Sequence, residues 1–289
     1  MPTPHQVRIN EIRFKRNFDE LTAIGATPEG GCERLAFSQE DSLARQWFKS
    51  KVSSSGMTYW IDGAGNQFGI LGDRPVAEGA ILIGSHLDTV PDGGKYDGAL
   101  GVVAAIEACQ SVLDANLACR HPICVVNFSD EEGTHVGLLG SRVFTGILSP
   151  AALDGFHSGE KAFEDGMRRI GITHESIFSA SCAPRPPHSY LELHIEQGPV
   201  LEDSGQQIGI VTSIVGIRTR RVVFRGRAMH AGTTPMKLRR DAGFGACSFA
   251  KAARELVLER FPDNVANIGS IEMKPGAFNV IPEYRFSFS

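Results

Sequence analysis

The chain has 289 residues, 42% of them hydrophobic and 21% charged, with a net charge of −4 at pH 7. This is the make-up of a soluble globular protein long enough for two domains, and the small negative charge gives no electrostatic basis for binding nucleic acid or an anionic membrane. No apolar run approaches the roughly 18 residues of a membrane span, the N-terminus lacks an apolar signal core, and the six cysteines form no Cys-x-x-Cys pair, so a reduced, cytoplasmic protein is expected.

Residues 8–23 carry Ile9, Ile12, Phe14 and Phe18 at helical spacing, and a second helix is predicted from Ser38, an N-cap followed by acidic residues. Met57–Ile61 and Gln67–Leu71 read as strands around the turn-rich DGAGN. Ala80–Ser85 is a continuous apolar strand, Gly101–Leu113 a helix and Ile123–Ser129 another buried strand. Strands alternating with helices predict an α/β domain built on a mixed central sheet flanked by helices. Residues 149–187 read as short helices and a proline-rich connector, an insertion and not core; the sheet resumes at Tyr190–Ile195.

A boundary is predicted near Thr212, giving a catalytic domain over 1–212 and a second domain over 213–289. In the second, IVGIRTRRVVFRGRA alternates like a strand, a helix is expected over 241–260, and further strands over 265–273 and 284–288. This β-α-β-β order is most of a ferredoxin-like α+β sandwich, which normally adds one more helix and strand. The domain therefore reads as partial, with an apolar edge strand ending the chain.

The chemistry gathers where apolar strands end. The strand from Ala80 delivers His86 and Asp88, and Asp97 precedes a helix, either as its N-cap or as a carboxylate able to bridge two ions. Asp88, two positions past His86, is placed to accept the second imidazole N–H and fix the tautomer. PICVVNFSDEEG ends in Glu131 and Glu132, and SYLELHIEQG carries His194. Successive strand residues point to opposite sides, so one of the adjacent glutamates can bind an ion while the other faces an attacking water as general base. Histidine and carboxylate ligands without cysteine suit zinc, with manganese, cobalt or nickel as alternatives. The sequence offers His86, Asp97, Glu132 and His194 as ligands, whereas a two-metal site needs about five. His230 in RAMHAGTTPM is either a polar loop residue or an oxyanion contact, and Asn279 in GAFNVIP either a turn residue or an amide for a substrate carboxylate.

Together, GSHLDTVPDGGKYDGALGV, NFSDEEG, LGSRVFTG, HIEQGPVLE, HAGTTPM and PGAFNVIP resemble, in order and spacing, the hydantoinase/carbamoylase family of zinc amidohydrolases within the aminoacylase and carboxypeptidase clan. The resemblance implies a metallopeptidase-like catalytic domain with a lid and dimerisation domain. It implies two divalent metal ions held by His86, Asp97 as bridge, Glu132 and His194, with Glu131 as general base. It also implies that Gln197, His230 and Asn279 touch substrate, His230 reaching across a homodimer. The implied reaction is hydrolysis of a linear, non-peptide C–N bond in an N-carbamoyl amino acid, ureidopropionate or allantoate. Dipeptidase or aminoacylase activity, or a truncated metal-binding remnant without catalysis, are the alternative expectations. Family members continue further and add a fifth ligand, a histidine. One tight metal site is therefore expected in this chain, with His135 the nearest candidate to replace the missing ligand.

Overall fold

The computed structural model describes residues 7–72, 79–154, 156–181, 186–216, 218 and 220–283. It divides into two compact units, Met1–Gln207 and Ile208–Ser289.

The first unit opens with helix α1 (Glu11–Thr22), whose N-cap Asn10 side chain accepts from Arg13 N–H, and α2 (Gln39–Ser54), capped by Ser38 on Asp41 N–H. Hairpin strands β1 (Thr58–Ile61) and β2 (Gln67–Leu71) lead to β3 (Ile81–His86), helix α3 (Ala99–Asp114) and β4 (Ile123–Phe128). After α4 (Leu139–Phe144), α5 (Glu160–Ile170) and α6 (His174–Phe178), β5 (Ser189–Leu191) completes the sheet, and α7 (Val200–Asp203) follows. The strand order is β1-β2-β4-β3-β5. β1–β2 and β2–β4 are antiparallel, whereas β3 runs parallel to both β4 and β5. This is the mixed sheet expected from the sequence. The apolar face of α3 (Val102, Val103, Ile106) packs with α1 and α2 through Phe18, Leu21, Phe48 and Val52. A half-buried pair fastens α1 to α3: Arg13 Nε lies 2.7 Å from Oε2 of the buried Glu107.

Residues 149–187 correct the reading of an insertion. Phe163 and Met167 of α5 and Ile177 of α6 bury with Leu139 and Val143 of α4, Phe37 and Ala64, forming a second core. The short, polar-looking sequence hid a strongly one-sided helix, because only a few apolar positions per turn are needed to cover a core.

The second unit contains α8 (Ala242–Arg260), whose N-cap Asp241 accepts from Phe244 N–H. Val222, Phe224 and Ile268 pack against Ala246 and Ala250 of this helix. The strands expected over 214–228 and 265–273 do not form as ladders among the described residues; isolated pairing occurs, as between His230 and Val280. Alternation aims side chains at a helix, but a strand also needs a neighbour in register along its length. Ile214 is 88% and Val215 66% exposed, and among the described residues this stretch joins no ladder. The strand expected over 284–288 lies outside the described residues. Among the described residues no helix is long and apolar enough to cross a membrane.

Candidate metal centre

The parallel strands end on one side of the sheet. His86 is the last residue of β3, Glu131 and Glu132 follow the end of β4, and His194 follows β5. The β3–β5 register pairs Ile83 with Leu191. Three residues beyond that last pair, the His86 and His194 imidazoles are brought together. Ligands in open α/β sheets collect at such carboxyl ends.

The two rings lie 6.0 Å apart by centroid. Nδ1 of His86 is 2.9 Å from the backbone oxygen of Asp88, and Nδ1 of His194 is 2.8 Å from that of Ile195. A carbonyl only accepts, so each Nδ1 carries the proton and each Nε2 presents a lone pair. Nε2 of His194 is 3.3 Å from Asp97 Oδ1, a buried oxygen without a hydrogen-bond partner. A proton on Nε2 or a cation shared by the two atoms would satisfy both, and the third donor, His86, favours the cation. His86, Asp97 and His194 each offer a ligand atom within 4.8 Å of the others. Nitrogen and carboxylate donors of this kind fit a divalent transition metal. The other Asp97 oxygen, Oδ2, accepts from Gln197 Nε2 at 2.6 Å. Gln197 thus meets the carboxylate and not open space.

Glu132 stands outside that trio; burial pushes its carboxyl upward, His86 opposes this, and the negative charge of Asp97 adds to the rise. Glu131 is pushed up to about 7, chiefly by burial, while the Ser141 hydroxyl, 3.0 Å from its Oε2, works the other way. The two glutamates diverge at a turn, not by strand alternation: β4 has ended at Phe128, and Asp130 adopts φ +52°.

Asp88 corrects the expected contact. Its backbone oxygen, not its carboxylate, takes the His86 N–H; the carboxylate oxygen is 3.7 Å away. The buried carboxylate instead accepts the N–H groups of Glu131 (3.3 Å) and Glu132 (3.0 Å), fixing the acidic turn beside β3. His135 is no substitute ligand. Its Nε2 lies 3.0 Å from Ala36 oxygen and its Nδ1 2.6 Å from Ser158 Oγ, so neither nitrogen is free, and the ring stacks on Phe37.

Two residues at the centre carried no sequence signal. Arg34, fully buried, donates from Nε to Leu87 oxygen at 2.9 Å, while its backbone pairs with Thr89, pinning the segment after His86. Gly98 adopts φ +61°, and a Cβ there would lie 2.5 Å from His86 Cε1. Only glycine allows the imidazole to lie against this backbone.

In the second unit, His230 and Asn279 come together: Ala231 N–H donates to Asn279 oxygen at 2.9 Å. His230 Nδ1 accepts from Gly232 N–H at 3.1 Å, which leaves the ring proton on the exposed Nε2. Arg239 bonds the oxygens of Ala231 and Thr234 and braces this loop.

An α/β sheet with a two-histidine, carboxylate-rich centre at its parallel strand ends is the architecture of a metal-dependent hydrolase. The chain belongs to peptidase family M20/M25/M40, whose model matches residues 82–284. It is similar to the N-carbamoyl-L-amino acid amidohydrolase of Geobacillus stearothermophilus, with 39% identity over 94% of this chain and 66% of that protein. Identity to the allantoate amidohydrolase of Escherichia coli is 35%, over 91% of this chain and 64% of the relative. A hydantoinase/carbamoylase family amidase from Burkholderia ambifaria superposes with a TM-score of 0.78 at 33% identity, covering 96% of this chain and 68% of that structure. The chain spans about two thirds of the length of these relatives.

Proposed function

We propose that the chain serves metal-dependent hydrolysis of a linear, non-peptide C–N bond in a small carboxylate, of the N-carbamoyl amino acid, ureidopropionate or allantoate type. The observation that carries this reading is the unpartnered, buried Asp97 Oδ1 facing the free Nε2 of His194, with His86 beside them. His86, Asp97 and His194 would hold one ion, zinc before manganese, cobalt or nickel. Glu132 would hold a second, more weakly, because carboxylates alone bind zinc less tightly than a set with imidazole. A bound ion supplies Lewis acidity, polarising the scissile carbonyl and making water acidic near neutral pH.

Glu131 carries the protons. With a carboxyl near 7 it is ionised in a large share of molecules at neutral pH. It takes a proton from the attacking water as the water oxygen bonds to the carbonyl carbon, and it returns that proton to the leaving nitrogen as the C–N bond breaks. The Ser141 hydroxyl holds Oε2, which leaves Oε1 to face the water. His230, as an Nε2–H donor, stabilises the oxyanion, and the Asn279 amide meets the substrate carboxylate. A homodimer through the second unit belongs to the same reading. So does a cytoplasmic location, supported by the unpaired Cys32, Cys109, Cys119, Cys124 and Cys247.

The test is a panel of N-carbamoyl-L-amino acids, ureidopropionate, allantoate, dipeptides and N-acetyl amino acids, presented to chelated and metal-reconstituted protein. Metal-dependent turnover confined to the carbamoyl and ureido compounds is expected. Turnover of dipeptides alone would overturn the substrate class, and tight metal binding with no turnover would overturn catalysis.

A further inference from the structure

Glu192 was not among the residues singled out from the sequence, yet it stands between the two histidine-bearing arms. The β3–β5 ladder runs from Ile81 opposite Ser189 to Ile83 opposite Leu191 and stops there. Both histidines lie three positions beyond its end, where backbone pairing no longer sets their separation. Side chains take over at this level. The Ser85 hydroxyl donates to Glu192 Oε1 at 2.5 Å, and the Tyr190 hydroxyl lies 2.9 Å from Glu192 Oε2 and 3.2 Å from Gly84 oxygen. Ser85 immediately precedes His86, and Glu192 precedes His194 by two residues. The backbone between them is seated as well: a Cβ on Gly101 would lie 2.4 Å from Leu193 oxygen.

We propose that Glu192 is a positioning residue of the metal centre, its carboxylate joining Ser85 and Tyr190 so that the arms carrying His86 and His194 keep the spacing one ion requires. The inference rests on the metal-centre reading above. A freely solvated acid would not have both oxygens engaged by hydroxyls of two neighbouring strands. The hydrogen inventory also separates bridging from charge. Tyrosine has one hydroxyl hydrogen and two acceptors within reach, and the carboxylate, as the charged acceptor, takes it. A glutamine keeps the bridge without the charge. Its Oε1 accepts from Ser85, its Nε2 donates to the tyrosine oxygen, and the tyrosine hydrogen turns to Gly84.

The experiment is a cobalt(II) titration of the 289-residue chain against a competing chelator, read by the visible bands of the bound ion, with thermal melts of the metal-free proteins alongside. Glu192→Ala is expected to weaken cobalt affinity roughly 10–100-fold, the range found when groups that orient metal ligands are removed, and to change the band shape. Glu192→Gln should restore both near the unmodified values. Ser85→Ala removes the other half of the bridge and should weaken affinity too; it carries the test if Glu192→Ala does not fold. Tyr59→Phe, which deletes a hydroxyl 2.8 Å from Gln67 at the far edge of the sheet, should leave cobalt binding unchanged. Unaltered affinity in Glu192→Ala and Ser85→Ala would overturn the bridge, as would equal losses in the Ala and Gln variants. An unmodified chain that binds no cobalt would instead overturn the metal centre itself.

Discussion

Replacing Gly98 with alanine places a methyl group in the space occupied by the His86 imidazole. The added Cβ would lie 2.5 Å from Cε1, 2.6 Å from Nδ1 and 2.5 Å from the backbone oxygen of His86. Ordinary van der Waals contact begins near 3.4 Å, so the ring or the 97–99 backbone must move by about 0.9 Å. Metal sites tolerate ligand displacements of only about 0.2 Å. Because Asp97 is the adjacent residue, relief on either side pulls one ligand from another. The backbone adds strain, since φ +61° and ψ −46° suit glycine and cost other residues about 1–3 kcal/mol. Overpacking adds about 1–3 kcal/mol, for a total loss of about 2–6 kcal/mol. Urea denaturation of the metal-free protein should register that loss, and equilibrium dialysis with zinc should show affinity reduced at least tenfold. Gly94→Ala, in the same loop with open space around its Cβ, is the matched control. An unchanged unfolding midpoint together with unchanged zinc affinity in Gly98→Ala would refute the reasoning.

Three further outcomes are expected. Glu131→Gln should retain bound metal while losing ~10²–10⁴ in turnover of the best panel substrate, and Glu132→Gln should lower metal content; elemental analysis beside rate measurement checks both, and equal metal loss would contradict the division of roles. His230→Ala should cost ~10²–10³ in turnover through loss of an oxyanion donor, and steady-state rates near those of the unmodified protein would remove it from that role. Burial raises Asp62 to about 6 from an ordinary 3.8, against hydrogen bonds from Ala64 and Asn66. Between about pH 4 and 6 the folded state therefore holds a proton that the unfolded state has released, so stability falls as pH rises through this window. Asp62→Asn should flatten that slope in denaturation curves recorded across it.

Much of the first unit was legible because its elements have simple periods. β2 occupies Gln67–Leu71 as expected, and α2 starts behind the Ser38 cap. The convergence of His86, Asp97 and His194 was legible for a related reason: apolar runs end in ionisable residues, and parallel strands bring such ends together. What remained hidden depends on contacts that no local pattern encodes. The Asp88 backbone outcompetes its own carboxylate for His86, and the 149–187 helices share their core with Phe37 and Ala64, far away in sequence. Glu192 is one polar position of an alternating run, and no motif marks Arg34. In the second unit, Val222 and Phe224 pack against Ala246 of α8, but the expected strand did not form there, because apolar period alone does not supply ladder partners.

The Asp97 and His194 atoms that face each other 3.3 Å apart come from segments 97 residues distant in the chain, so the unfolded polypeptide offers an ion no comparable grip. A cation held there is a noncovalent cross-link between strand ends and binds the native state almost exclusively. At a free concentration a hundred times its dissociation constant, it would deepen the native well by about 2.7 kcal/mol. That is a sizeable share of the total stability of an ordinary domain. On the proposed reading, a chain without its cation would unfold more often and be cleared sooner.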